Sequence, residues 1–231
     1  MMKTKLFLFS IFIVGLISGY LIHTNTSDEF FKKFIPFFHT MSEQELKELQ
    51  EIKEQIEKEG RIKQEKDNFT DFIMSRNRWI SRESAEKITH LIFQYSEKYD
   101  VDRVLVLAII GKESAYKKWT RGRLGEIGLM QIHKYVWLYD TENVINLKYV
   151  GIVNKEKDLW DEERNIESGV YILDRSRDVC MNWLKRNLLK ERGYENVKQC
   201  MITRYNTHLN FPYYTDVINI ISEYKTFIVA K

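Results

Sequence analysis

In Val104-Leu105-Val106-Leu107-Ala108-Ile109-Ile110-Gly111-Lys112-Glu113-Ser114 an unbroken apolar run, residues 104–110, is followed closely by the carboxylate of Glu113. Periodicity alone does not separate a buried strand from a buried helix in such a run. The helical patterns around it select a central helix buried on all sides, with Asp102 placed to cap its first turn. Upstream, Ile88, Leu91, Ile92, Tyr95 and Tyr99 recur at a spacing near 3.6, and the packed pattern starts at Ser81. Downstream, Tyr213, Tyr214, Val217, Ile218, Ile221 and Tyr224 mark a further amphipathic helix. Two prolines and ten glycines in 231 residues, with 44% hydrophobic residues, fit a mainly α domain with one core of moderate size.

Glu113 draws attention because glutamate is rarely buried unless paired or functional, and apolar surroundings raise its pKa by penalising the charged form. A carboxyl group in that setting holds a proton near neutral pH and is suited to general acid catalysis. The plainer alternative is an exposed residue just past a core helix, paired with Lys112, Lys117 or Lys118. Most glycosidases use two carboxylates. No second acid stands out, and Glu126, the nearest candidate, reads as a loop or surface residue.

The run through Glu113-Ser114, the following Gly125-Glu126-Ile127-Gly128-Leu129-Met130-Gln131-Ile132, the stretch Asn165-Ile166-Glu167-Ser168-Gly169-Val170-Tyr171-Ile172-Leu173, and Tyr205-Asn206 followed by Tyr214 stand in this order along the chain. Together they resemble the catalytic core of the soluble lytic transglycosylases, relatives of goose-type lysozyme. The resemblance covers residues 76–231 and implies a lysozyme-like helical fold. It also implies cleavage of the bond between N-acetylmuramic acid and N-acetylglucosamine in peptidoglycan, leaving 1,6-anhydro ends, with Glu113 as acid and then base and no cofactor. By the same resemblance Ser114 orients Glu113 or the substrate acetamido group, and Gln131 hydrogen-bonds the sugar. Met130 packs on the cleft wall, Tyr205 approaches the glutamate, and Asn206 fixes the closing loop. Each has a duller counterpart: Ser114 as a helix end, Met130 as core filler, Tyr205 as a core tyrosine with a satisfied hydroxyl. Gly169 and Tyr171 read as packing residues, the glycine admitting a neighbouring helix. The closing segment departs from the family pattern, with Arg204 in place of alanine and His208 in place of glycine.

The first third of the chain carries no part of this resemblance. Lys3 and Lys5 precede the apolar stretch Leu6 to Ile22, so residues 1–27 are expected to form an uncleaved membrane anchor. Residues 28–75 are expected to form a juxtamembrane and charged helical spacer. Phe30, Phe31, Phe34, Phe37 and Phe38 are spaced for an interfacial or a packing face. Ser42 with Glu45 makes a capping box, and Met41 with Leu46 a hydrophobic staple. Leu46, Leu49, Ile52 and Ile56 give a narrow apolar stripe that Gly60 is expected to end. The implied location is the inner membrane, with the catalytic domain in the periplasm or exported. Implied partners are peptidoglycan strands, the membrane, and a secretion, conjugation or flagellar envelope complex.

Other chemistries find little support. A net charge of +3 gives no basis for nucleic-acid binding. His23, His39, His90, His133 and His208 form no H-E-x-x-H and no pairing with cysteine, so no metal is expected. Cys180 and Cys200 are not a C-x-x-C pair, and both a disulfide and two buried thiols remain open. The functional alternatives are an inactive peptidoglycan-binding module, a helical scaffold of an envelope complex, and a hydrolytic lysozyme.

Overall fold

The computed structural model describes residues 43–138, 147–148, 150–206 and 211–231. The expected anchor, the phenylalanine face, Met41, Ser42 and His208 lie outside the described residues. Among the described residues no helix is long and apolar enough to cross a membrane. By its contacts the chain divides into residues 1–60 and 61–231.

The first unit contributes, among its described residues, the opening turns of helix α1, Glu43–Arg76. This stretch is solvated, with Leu46 41% and Ile52 44% exposed. Its stabilising contacts are pairs one turn apart: Gln44 with Glu48, Gln50 with Glu54, Gln55 with Glu59, and Lys53 with Glu57. Such pairs contribute about 0.2–0.5 kcal/mol each. The helix does not stop where Gly60 was expected to end the apolar stripe, and α1 continues through it to Arg76. A glycine inside a helix costs about 1 kcal/mol, which weakens a helix without terminating it.

The second unit begins at Arg61, earlier than the domain start placed at residue 76. Phe69, Phe72 and Ile73, which the sequence reading left in a charged spacer, are buried. Their spacing of three and four residues puts them on one face of α1. Phe69 meets Phe93 at 5.2 Å and Tyr224 at 5.1 Å between ring centroids, and Phe72 meets Tyr224 at 5.3 Å. The face is short, and the many charges around it conceal it in the sequence.

Helix α2, Arg82–Tyr99, starts where Ser81 accepts the Ser84 N–H and ends at Asp100 in the left-handed region. Helix α3, Arg103–Ser114, is the predicted central helix. Asp102 accepts the N–H groups of Val104 and Leu105 at 2.8 and 3.3 Å, satisfying two amides that the first turn leaves unpaired. Leu105 through Ile110 are all buried, and each Leu, Val and Ile side chain among them contributes about 1.5–3 kcal/mol on transfer from water. Helix α2 packs on one side of α3, and helix α7, Phe211–Val229, on another.

Beyond α3 the chain makes a small antiparallel ribbon, β1 Glu126–Ile127 with β2 Ile132–His133, in register Glu126 to His133 and Ile127 to Ile132. The short helix α4, Lys134–Trp137, and a 3₁₀ turn at Glu156–Trp160 follow. Helix α5, Glu162–Lys185, packs against α2 and against α6, Val197–Tyr205, which in turn meets α7. A disulfide joins Cys180 of α5 to Cys200 of α6, resolving the choice between disulfide and thiols.

Candidate active site

The last turn of α3 carries Glu113 out of the core, where its side chain is partly exposed. Tyr213, near the start of α7, donates its hydroxyl to Glu113 Oε1 at 2.5 Å. Lys112 forms an ion pair with Asp216, so the end of α3 is tied to α7 on both sides of the carboxylate. Burial is the main influence on Glu113 and raises its pKa from 4.5 to about 7. The Tyr213 hydrogen bond and the Lys112 charge pull it down, and the charge of Glu126 pushes it up. A carboxyl group that keeps its proton at neutral pH while reaching solvent can protonate a bound oxygen.

Two left-handed residues, Ala115 with φ 49° and Tyr116 with φ 61°, turn the chain away after α3. Tyr116 is then buried, and its hydroxyl donates to the Leu107 carbonyl at 3.2 Å. A Cβ on Gly111 would lie 2.7 Å from that hydroxyl oxygen, so the glycine inside α3 admits the tyrosine.

The turn between β1 and β2 is held from below by Asn165 in the first turns of α5. Its Oδ1 accepts the Met130 N–H at 2.8 Å, and its Nδ2 donates to the carbonyls of Ile127 and Leu159, both at 2.8 Å. Gly128 sits over this amide with φ 81°, and a Cβ there would lie 2.3 Å from Asn165 Nδ2. Positive φ and close approach both require the glycine. Gly169, one turn further along α5, admits the Met130 side chain, since its Cβ would lie 2.3 Å from Met130 Sδ. The expectation that Gly169 admits a neighbouring helix is therefore corrected to a single side chain.

The expected site residues divide into those at the glutamate and those that build its surroundings. Tyr205 is buried and close enough that, after burial, the charge of Glu113 raises its pKa, yet its hydroxyl donates to the Met130 carbonyl at 2.7 Å. The hydroxyl bonded to the glutamate is that of Tyr213, and Tyr214 beside it makes no such bond among the described residues. Met130 is fully buried, and Ser114 returns its hydroxyl to the Ile110 carbonyl at 3.1 Å, as a helix-end serine does. Gln131, with φ 46°, donates to the carbonyls of Thr120 and Gly128 at 3.0 and 2.8 Å. Asn206 closes α6, its N–H directed to the Arg204 carbonyl.

Glu126 stands in the small ribbon beside the site. It begins β1 partly buried, its Oε2 accepts the Leu124 N–H at 3.0 Å, and its charge is felt at Glu113. Tyr213 was visible beforehand only as one apolar position of a helix. Arg204 stacks on Trp183 with 5.0 Å between its guanidinium carbon and the ring centroid, and its Nε is buried without a partner among the described residues. A cation over an indole face gains about 0.5–2 kcal/mol. Taking a charge out of water costs several kcal/mol, so the ring offsets only part of that penalty.

The family model described as the Transglycosylase SLT domain matches residues 90–207, just over half of the chain. No curated protein matches the chain. The matched span contains the helix that delivers Glu113, the Gly128 turn, its Asn165 support and Tyr205, so the frame assembled around the glutamate is the family's. The chain belongs to the transglycosylase SLT domain family.

Proposed function

We propose that the protein is a lytic transglycosylase that cleaves the β-1,4 bond between N-acetylmuramic acid and N-acetylglucosamine in peptidoglycan, with Glu113 as the single acid and base. The observation that carries this reading is a partly exposed carboxyl group held by Tyr213, with a pKa of about 7. Protonated Glu113 gives its proton to the glycosidic oxygen as the bond to the muramyl C1 breaks. The N-acetylglucosamine departs with a free 4-hydroxyl. The muramyl 6-hydroxyl oxygen then bonds to C1, its proton passes to the Glu113 carboxylate, and the acid is regenerated without consumption of water. A pKa near the working pH suits a group that must give a proton and then take one. Tyr213 remains a proton donor throughout, since burial first and the Glu113 charge second raise its pKa well above the usual value.

Ser114, Met130, Gln131, Tyr205 and Asn206 are proposed as the substrate-binding set. Met130, Tyr205 and Gln131 shape the cleft wall through the hydrogen bonds described above. In this reading Gln131 turns its amide toward the sugar only when substrate displaces one of its two carbonyl partners. A second reading, a hydrolytic lysozyme, is favoured by one observation, the electrostatic influence of Glu126 on Glu113. The Cys180–Cys200 disulfide supports an oxidising compartment. With the apolar Leu6–Ile22 stretch it supports a membrane-anchored protein whose catalytic domain faces the wall.

The test is clearance of purified peptidoglycan by the native chain and by Glu113→Gln. The variant keeps the shape of the side chain but lacks the acid, and clearance is expected to fall by at least about 100-fold. Equal clearance by both proteins would remove Glu113 from the mechanism.

A further inference from the structure

Away from Glu113, the segment between α5 and α6 and the end of α6 place two guanidinium groups on one indole near the end of α5. Arg192 lies 4.2 Å and Arg204 5.0 Å from the centroid of Trp183, and Tyr194 stacks on the same ring at 6.2 Å with 16° between the planes. Neither arginine forms an ion pair with a carboxylate among the described residues, and Arg204 Nε is buried without a partner there.. Burial lowers the pKa of Arg204; Tyr194 opposes this shift, and the smaller influence of the Arg192 charge adds to it. Two like charges on one ring, one of them partly desolvated, are both relieved by a shared anion.

The cluster is also held in place. The Cys180–Cys200 disulfide clamps α5 to α6 within about one turn of Trp183 and of Arg204. Between the helices, Leu189 and Tyr194 are buried and anchor the connecting segment that carries Arg192. A guanidinium held over a ring can still direct its N–H groups to the two oxygens of a carboxylate or phosphate. Lys185, Arg186 and Lys190, set against Glu191 and Glu195, leave the same stretch of chain net positive.

We propose that Trp183, Arg192 and Arg204 form an oxyanion-binding site for a carboxylate or phosphate group, separate from Glu113 and independent of the reaction performed there. Arg204 supplies the buried fork, Arg192 a second cation at the rim, and Trp183 with Tyr194 the platform that fixes their planes. Wall polymers offer both anions, as peptide carboxylates and as phosphodiesters, and the site's shared chemistry fits either source.

The experiment uses the full chain labelled with 5-fluorotryptophan and read by fluorine NMR, the Trp183 resonance being assigned with Trp183→Phe. Inorganic phosphate and acetate are titrated separately, with ionic strength held constant by sodium chloride. The expected result is a saturable shift of the Trp183 resonance. Tighter saturation by phosphate assigns a phosphodiester source, and tighter saturation by acetate a carboxylate source. Arg204→Gln should weaken saturation at least tenfold while the other tryptophan resonances stay in place. Arg204→Lys, which keeps the charge and loses the fork, should fall between. If Arg204→Gln disturbs those other resonances, Arg192→Gln at the rim replaces it and should weaken binding in the same direction. A Trp183 resonance that does not saturate with either anion, or that saturates equally in native and variant proteins, would overturn the site.

Discussion

The hydroxyl of Tyr213 donates to Oε1 of Glu113 at 2.5 Å, joining the last turn of α3 to the beginning of α7 across 100 positions of sequence. Burial raises the carboxyl pKa, and this one hydrogen bond, made to the charged form, is the largest opposing influence. The two together set the proton affinity near neutrality.

Removing the hydroxyl should therefore raise the pKa of Glu113 further. Tyr213→Phe is expected to move the alkaline limb of the pH profile of kcat/KM to higher pH. It should also lower kcat roughly 10-fold to 100-fold, because a charge-assisted hydrogen bond contributes about 1.5–3 kcal/mol. A pH profile of cleavage with native and variant protein measures both. An unchanged alkaline limb would mean that Tyr213 does not hold the carboxylate.

The raised pKa also makes stability depend on pH in the direction opposite to an ion-paired carboxylate. Between pH 4.5 and about 7 the folded protein retains a proton that the unfolded chain has released. Stability contributed by this group is thus fully present below 4.5 and declines as pH rises through about 7, by at most about 3 kcal/mol. Glu113→Gln should lack this component, so urea denaturation at pH 5 and pH 8 should show a larger acid-to-alkaline loss in the native protein than in the variant. Identical losses would contradict the shifted pKa.

Asn165 satisfies one backbone donor and two backbone acceptors around the Gly128 turn. Asn165→Leu would bury those groups unpaired and should cost about 3 kcal/mol or more. A lowered urea midpoint with unchanged slope is the expected outcome. A loss below about 1 kcal/mol would show that the turn is held by other contacts.

The disulfide closes a loop with a sequence separation of 20 between α5 and α6. Its removal by Cys180→Ala with Cys200→Ala should cost about 3 kcal/mol, chiefly by releasing the unfolded chain. Thermal unfolding of the variant beside the native protein checks this. An unchanged Tm would mean that the link carries no stability.

The central helix was readable because its signal is local: a continuous apolar run, an aspartate before it and a carboxylate at its end. The 3.6-residue spacing of α2 and α7 was equally local, and so was the order of motifs around Glu113. The aromatic face of α1 was not, since Phe69, Phe72 and Ile73 acquire meaning only from the rings of Phe93 and Tyr224 that meet them. The hydrogen-bond partner of the glutamate was not legible either. Tyr205 sits in the recognisable segment, but its hydroxyl is committed to Met130, whereas Tyr213 reaches Glu113 through the packing of α7 on α3. Glu126 looked like a loop residue because nothing in its neighbours announces a strand of two residues. Sequence spacing singled out Glu113, while tertiary packing chose its hydrogen-bond partner.

The central claim is that Glu113 acts without a hydrolytic water, and the mass of the muropeptides released from purified peptidoglycan by the full chain tests it most directly. The account predicts products one water lighter than hydrolysed muropeptides, ending in 1,6-anhydromuramyl groups and absent with Glu113→Gln. Glu113-dependent products with reducing ends would contradict it and bring Glu126 into the reaction as the second carboxylate of a lysozyme.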